Sequence, residues 1–180
     1  MKKNYVKQLC FCSVLAAFCF VLDYVATLLN NVSGVFKLPL GALPIIIAAV
    51  QCGPLMGAAV GLIGTFLTQL ITYGLTPTTA LWILPAGIRG VCMGLLFIAF
   101  KRSMKTLPLI AEITVSSIIV TAVNTLVIYL DSVIYGYYTP AVVWGGLFVR
   151  IITGVISSVV FALILPTVVR AIDKRFEKQA

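Results

Sequence analysis

Residues 142–165 read VVWGGLFVRIITGVISSVVFALIL, an apolar run that is long enough to cross a bilayer and contains one charged residue, Arg150. A hydrocarbon core needs about 20 apolar residues of α-helix. A second run, TALWILPAGIRGVCMGLLFIAF at residues 79–100, also carries a single arginine, Arg89. An arginine keeps its proton at this depth and costs at least a few kcal/mol there, so it usually faces a wet cavity, a counter-charge or an anionic ligand. Both arginines are therefore candidate functional residues.

The rest of the chain has the composition of an integral membrane protein. Of its 180 residues, 61% are hydrophobic and 10% are charged. The apolar runs are continuous rather than alternating, which favours helices over a β-barrel. We predict one all-α membrane domain, residues 1–180, with six transmembrane helices at about 8–29, 38–50, 54–73, 80–100, 108–130 and 142–170. The second run is short for a crossing and contains Pro39 and Pro44, which predicts a broken or partly re-entrant segment, or one extended by its neighbours.

The distribution of lysine and arginine predicts the orientation. With the N-terminus in the cytoplasm, the inside carries Lys2, Lys3, Lys7, Lys101, Arg102, Lys105, Arg170, Lys174, Arg175 and Lys178. The outside then carries only Lys37, beside the two arginines within the apolar runs. This asymmetry fits six crossings with both termini in the cytoplasm. It also accounts for the net charge of +8 without a nucleic-acid partner.

Polar and aromatic side chains concentrate in the predicted outer half of the membrane. Arg89 and Arg150 each lie about 13 Å from the outer ends of their spans, and Asn124 lies about 9 Å deep. The inner half is almost entirely apolar, so we expect a binding cavity that faces outward rather than a continuous channel. The candidate substrate-binding residues are Lys37, Gln69, Tyr73, Trp82, Arg89, Asn124, Tyr129, Tyr135, Trp144 and Arg150.

Simpler roles stay open for several of these residues. The tyrosines and tryptophans are also typical of the aromatic belt at a membrane surface. Asn124 also fits a hydrogen bond between helices, and Lys37 fits a solvated loop. Asp23, at similar depth in the first span, either pairs with one of the arginines or contacts the ligand.

Small residues four positions apart predict where helices contact each other. The pairs are Gly57–Gly61, Gly90–Gly94, Cys12–Ala16 and Ser13–Ala17. The two pairs in the first helix form a stripe that either packs internally or receives a partner subunit. The five cysteines are interpreted as small packing residues rather than as disulfides or metal ligands.

Known catalytic patterns are missing from the sequence. The chain has no histidine, no carboxylate pair at helical spacing and no Gly-x-x-x-x-Gly-Lys-Ser/Thr phosphate-binding loop. We therefore expect neither an enzyme nor an ATPase, and no metal site or intrinsic cofactor.

Residues 38–64, LPLGALPIIIAAVQCGPLMGAAVGLIG, resemble part of the substrate-binding S components of energy-coupling-factor (ECF) vitamin transporters. The arrangement is a basic residue, then Leu-Pro, then Gly-Pro-x-x-Gly-x-x-x-Gly. Here it is carried by Lys37, Leu43, Pro44, Gly53, Pro54, Gly57 and Gly61. Asn124-Thr125-Leu126 and Arg150 resemble elements of the folate-type members. Gly64-Thr65 departs from that type, which commonly has an aspartate there, and residues 76–79 replace its Pro-Gly-Phe-Thr.

The resemblance implies a multi-pass protein of the bacterial plasma membrane that binds a vitamin, with folate as the first candidate. It implies partnership with a transmembrane coupling subunit, met through Cys12, Ser13, Ala16 and Ala17, and with two ATPase subunits that hydrolyse ATP. Pantothenate, a queuosine precursor, a pyrimidine or a corrinoid are alternative ligands. A stand-alone secondary carrier or channel is the alternative of another class, and it would need polar groups lining the cytoplasmic half.

Overall fold

The computed structural model describes residues 5–33 and 39–177, and every regular element in those ranges is a helix. The helices are α1 (Tyr5–Ser33), α2 (Ala42–Cys52), α3 (Pro54–Tyr73), α4 (Thr79–Ala99), α5 (Thr106–Ile134), α6 (Pro140–Trp144) and α7 (Leu147–Glu177). The prediction of an all-α membrane protein is confirmed.

Five segments are long and apolar enough to cross a membrane. They are Tyr5–Leu29, Pro54–Tyr73, Thr79–Ala99, Thr106–Ile134 and Pro140–Ile172. The predicted second crossing is the exception, because α2 has only 11 residues. A helix of that length rises about 16 Å, roughly half the thickness of the hydrocarbon core.

Two predicted boundaries differ from the observed helices. The second span was expected at 38–50, but α2 begins at Ala42 and runs to Cys52. Pro44 does not break it, because a proline is tolerated in the first turn, where its missing N–H has no partner to lose. The last span was expected as one helix over 142–170, but a turn at Gly145 and Gly146 divides it into α6 and α7.

The short helix α2 lies in the core of the bundle. It packs against α1, α3, α4 and α7, and most of its side chains are buried. A helix that is apolar all round belongs in an interior, which explains how so short a segment is stable here. Cys12 and Cys19 of α1 are free thiols packed in the same core.

Glycines bring α3 and α4 into backbone contact. A Cβ atom added to Gly90 would lie 2.2 Å from the carbonyl carbon of Gly57, and one added to Gly94 would lie 2.5 Å from the Cα of Pro54. A Cβ atom on Gly61 would lie 2.5 Å from the carbonyl oxygen of Ala86. The prediction that these glycine pairs mark close helix contacts is confirmed.

The predicted inner half contains two buried polar side chains that the sequence analysis did not single out. Glu112 of α5 is fully buried, and Ser116 lies one turn further along the same helix. Neither carboxylate oxygen of Glu112 nor the Ser116 hydroxyl has a hydrogen-bond partner among the described residues. Whether a side chain on a helix is buried depends on how the neighbouring helices pack against it. The burial of a polar residue near a helix end therefore cannot be recognised from the sequence.

Candidate ligand-binding cavity

A cavity of about 370 Å³ lies in the predicted outer half of the bundle. Its walls come from α1, α2, α3, α4, α5 and α7 and from the segment that leads into α2. Its polar and charged lining residues, with one tryptophan, are Asp23, Thr65, Gln69, Trp82, Arg89, Ser117, Thr121, Asn124, Arg150 and Thr153. The two arginines thus come from different helices and face one space, as their similar predicted depth suggested.

Hydrogen bonds hold the Arg150 guanidinium at the junction between α6 and α7. Nη2 donates to the carbonyl oxygen of Val143 at 3.1 Å, and Nε donates to that of Gly146 at 3.2 Å. Nη1 donates to the Thr125 hydroxyl of α5 at 3.3 Å. A guanidinium carries five N–H groups, so these three bonds leave one on each terminal nitrogen for a ligand. Arg150 is therefore oriented before a ligand arrives.

Arg89 has a counter-charge in the same cavity. The Asp23 carboxylate of α1 lies close enough for Coulomb attraction to the Arg89 guanidinium. Asp23 in turn accepts a hydrogen bond from the Thr65 hydroxyl at 3.5 Å and a weak one from the Cys19 thiol at 4.0 Å. A counter-charge lowers the cost of placing an arginine in the membrane. Asp23 therefore offsets part of the Arg89 charge and lies in the cavity wall, which is consistent with either of the two roles considered for it.

Trp82 is held in the cavity wall by Asp131, which is not a lining residue. The indole N–H donates to Oδ1 of Asp131 at 3.2 Å, and the Tyr137 hydroxyl donates to Oδ2. The hydrogen bond to Asp131, together with desolvation and the nearby charge, raises the pKa of Tyr137 to about 12. Tyr137 therefore keeps the proton that makes this bond throughout the physiological pH range.

Polar side chains of α5 complete one wall. Ser117, Thr121 and Asn124 follow each other at helical spacing and all line the cavity. The Ser117 hydroxyl also lies 3.4 Å from that of Ser158 on α7. Only Asn124 was named from the sequence. A spacing of four and then three residues in an otherwise apolar helix is the signal that would have indicated the others.

Five of the ten predicted substrate-binding residues line the cavity: Gln69, Trp82, Arg89, Asn124 and Arg150. Four predicted aromatic residues, Tyr73, Tyr129, Tyr135 and Trp144, are exposed and do not line it. Tyr129 instead packs edge-on against Tyr138, with ring centroids 5.6 Å apart. The tenth residue, Lys37, lies outside the described residues.

A family model described as "ECF transporter, substrate-specific component" matches residues 7–165. The chain belongs to this family. The S-component resemblance noted from the sequence is therefore confirmed, and the chain is a substrate-binding subunit of a transporter that works with ECF transmembrane and ATPase subunits. No curated protein and no solved structure matches it.

The small-residue stripe on α1 of this S component divides between two faces. Cys12 and Ala16 are buried, and a Cβ atom on Gly64 of α3 would lie 3.1 Å from the carbonyl oxygen of Ala16. Ser13 and Ala17 are exposed. The first pair thus packs inside the bundle, which leaves only the second pair of the four predicted residues accessible to a partner subunit.

Proposed function

We propose that this S component binds a micronutrient carrying a carboxylate and delivers it to an ATP-driven ECF module in the bacterial plasma membrane. The observation that supports this most directly is that Arg89 and Arg150 line one cavity from two different helices. Guanidinium groups form short, charge-assisted and often bidentate hydrogen bonds with carboxylates. The neighbouring Gln69, Asn124 and threonine side chains would orient hydroxyl, amide or ring groups of the same ligand.

Folate is the candidate that the resemblance implies. Asn124 and Arg150, which resemble folate-type elements, both line the cavity. Against folate stand the departures at Gly64-Thr65 and at residues 76–79.

The charge balance of the cavity favours an anion with one carboxylate, such as pantothenate. The volume of about 370 Å³ lies within the usual range of ligand pockets, about 300–1,000 Å³, and does not separate the two candidates. Two arginines and one aspartate among the described lining residues suit one carboxylate better than two. Pantothenate is therefore the second candidate, and it carries hydroxyl and amide groups for the polar walls.

The purified S component is expected to bind its ligand without any nucleotide. Native mass spectrometry of co-purified ligand, followed by calorimetric titration with pantothenate and folate, would identify it. Panthenol, in which an alcohol replaces the carboxylate of pantothenate, is the matched control and should bind much more weakly. Ion-gradient-driven uptake by liposomes containing this chain alone would instead support a secondary carrier. A secondary carrier would need polar groups that continue from the cavity through the cytoplasmic half. Glu112 and Ser116 lie in that half, but neither lines the cavity.

The exposed face of α1 is the proposed contact with the coupling subunit. Ser13→Leu and Ala17→Leu should each reduce co-purification of the transmembrane and ATPase subunits by several-fold or more, because an overfilled helix contact costs roughly 1–3 kcal/mol. Ligand binding by the isolated S component should stay unchanged. Ala122→Leu, at an exposed position of α5, is the control and should leave assembly intact. Normal assembly of both α1 variants would place the interface elsewhere.

A further inference from the structure

A single carboxylate joins three parts of the predicted outer side of the bundle. Asp131, near the end of α5, is only 7% exposed. It accepts hydrogen bonds from Trp82 of α4 and from Tyr137 of the connection after α5. A buried charge with two donors is partly compensated, and truncating it would leave both donors without their acceptor.

The position of Asp131 relative to α4 adds to this stabilisation. Thr78 is the N-cap residue of α4, and its carbonyl oxygen accepts from the backbone N–H groups of Leu81 and Trp82. An anion near a helix N-terminus is favoured by the partial positive charge of the free N–H groups there. Asp131 therefore joins the end of α5 to the start of α4 by its bond to Trp82, and the dipole of α4 favours its charge.

The hydrogen bond between Asp131 and Trp82 determines which atoms of the indole face the cavity. Trp82 lines the cavity, whereas Asp131 does not. With its N–H occupied by Asp131, the indole offers ring carbons, rather than a donor, to a ligand. The connection held through Tyr137 leads into α6, whose Val143 carbonyl oxygen accepts from Arg150. Asp131 thus lies at the start of the segment 131–150, which ends at Arg150, a second residue that lines the cavity.

We infer that Asp131 is a positioning residue of the ligand site, which acts by fixing the orientation of Trp82 in the cavity wall. The expected effect of Asp131 on ligand affinity rests on the proposed function. Its expected effect on the orientation of Trp82 does not, and this effect can be measured without any ligand.

The ligand-free test uses tryptophan fluorescence. The chain has two tryptophans, so Trp144→Phe leaves Trp82 as the only one. In that background, Asp131→Leu should shift the Trp82 emission and increase its quenching by acrylamide by about twofold or more. Asp131→Asn, which keeps one acceptor, should give a smaller change. Tyr137→Phe removes the neighbouring bond only and should leave Trp82 unchanged. Identical emission and quenching in Asp131→Leu and its parent would overturn the inference, provided that circular dichroism shows both folded.

The second test is a double-mutant cycle on ligand affinity, with pantothenate and folate as probes. Asp131→Leu should weaken binding about tenfold, as expected for losing a hydrogen bond to a charged group. In a Trp82→Phe background the same change should have an effect of less than about twofold, because residues that act through each other are not additive. Multiplicative losses would show that Asp131 acts by another route and would overturn the inference. Failure of the wild type to bind either probe would count against the proposed ligands, and the fluorescence result would still decide the role of Asp131.

Discussion

Arg89→Ala and Arg150→Ala are each expected to weaken ligand binding by at least about 30-fold, or roughly 2 kcal/mol, because each removes a charged partner of the ligand carboxylate in a partly buried site. Titration calorimetry with pantothenate and folate would measure this effect. Arg170→Ala is the control: this arginine is exposed on α7 away from the cavity, and its removal should leave affinity unchanged. Unchanged affinity in both cavity variants would rule out this cavity as the binding site.

The two arginine variants should each destabilise the ligand-free protein, for different reasons. Arg89→Ala leaves the Asp23 carboxylate without its counter-charge, so the ligand-free protein should melt at a lower temperature. Adding Asp23→Asn should recover much of that stability but not the affinity. Arg150→Ala should loosen the junction of α6 and α7 by removing the bonds to Val143 and Thr125. A stability loss in Arg89→Ala that Asp23→Asn does not reduce would mean that Asp23 does not compensate this charge.

Gly90→Ala is expected to destabilise the fold by about 1–3 kcal/mol or more, the range for overpacking a closely packed contact. Its Cβ atom would lie 2.2 Å from the carbonyl carbon of Gly57 and 2.3 Å from the backbone nitrogen of Ala58. Backbone atoms cannot rotate out of the way, so α3 and α4 would have to separate. Thermal unfolding in detergent, followed by circular dichroism, would measure the loss.

Gly154→Ala is the matched control for this prediction. It is also a glycine in a helix, but its added Cβ atom would meet only the Ser117 Cβ, at an ordinary 3.6 Å. The substitution should be neutral or stabilising, since alanine favours a helix by up to about 1 kcal/mol over glycine. Equal melting temperatures for Gly90→Ala and Gly154→Ala would show that the α3–α4 contact is looser than the structure indicates.

The depth argument is strongest for residues that cannot face lipid. Arg89 and Arg150 could be placed at similar depths from helical rise alone, and the cost of a charge in lipid required that they face something polar. Tyr135 and Trp144 were expected near the site because they lie toward the predicted outer side, but they are exposed and do not line the cavity. Depth says how far along a helix a residue lies and nothing about which side it faces. An aromatic side chain carries no comparable penalty for facing outward.

The hydropathy and spacing of this chain by themselves determined the membrane class, the helical fold, the inward-facing arginines and the close glycine contacts, because each follows from local composition and helical geometry. Only the tertiary structure decided the break between α6 and α7, the burial of Cys12 and Ala16 in the core, and the bond between Trp82 and Asp131. Trp82 and Asp131 are 49 residues apart, and their meeting depends on how two helices are rotated against each other. That rotation is set by packing among all the neighbouring helices, which no single segment of the chain encodes.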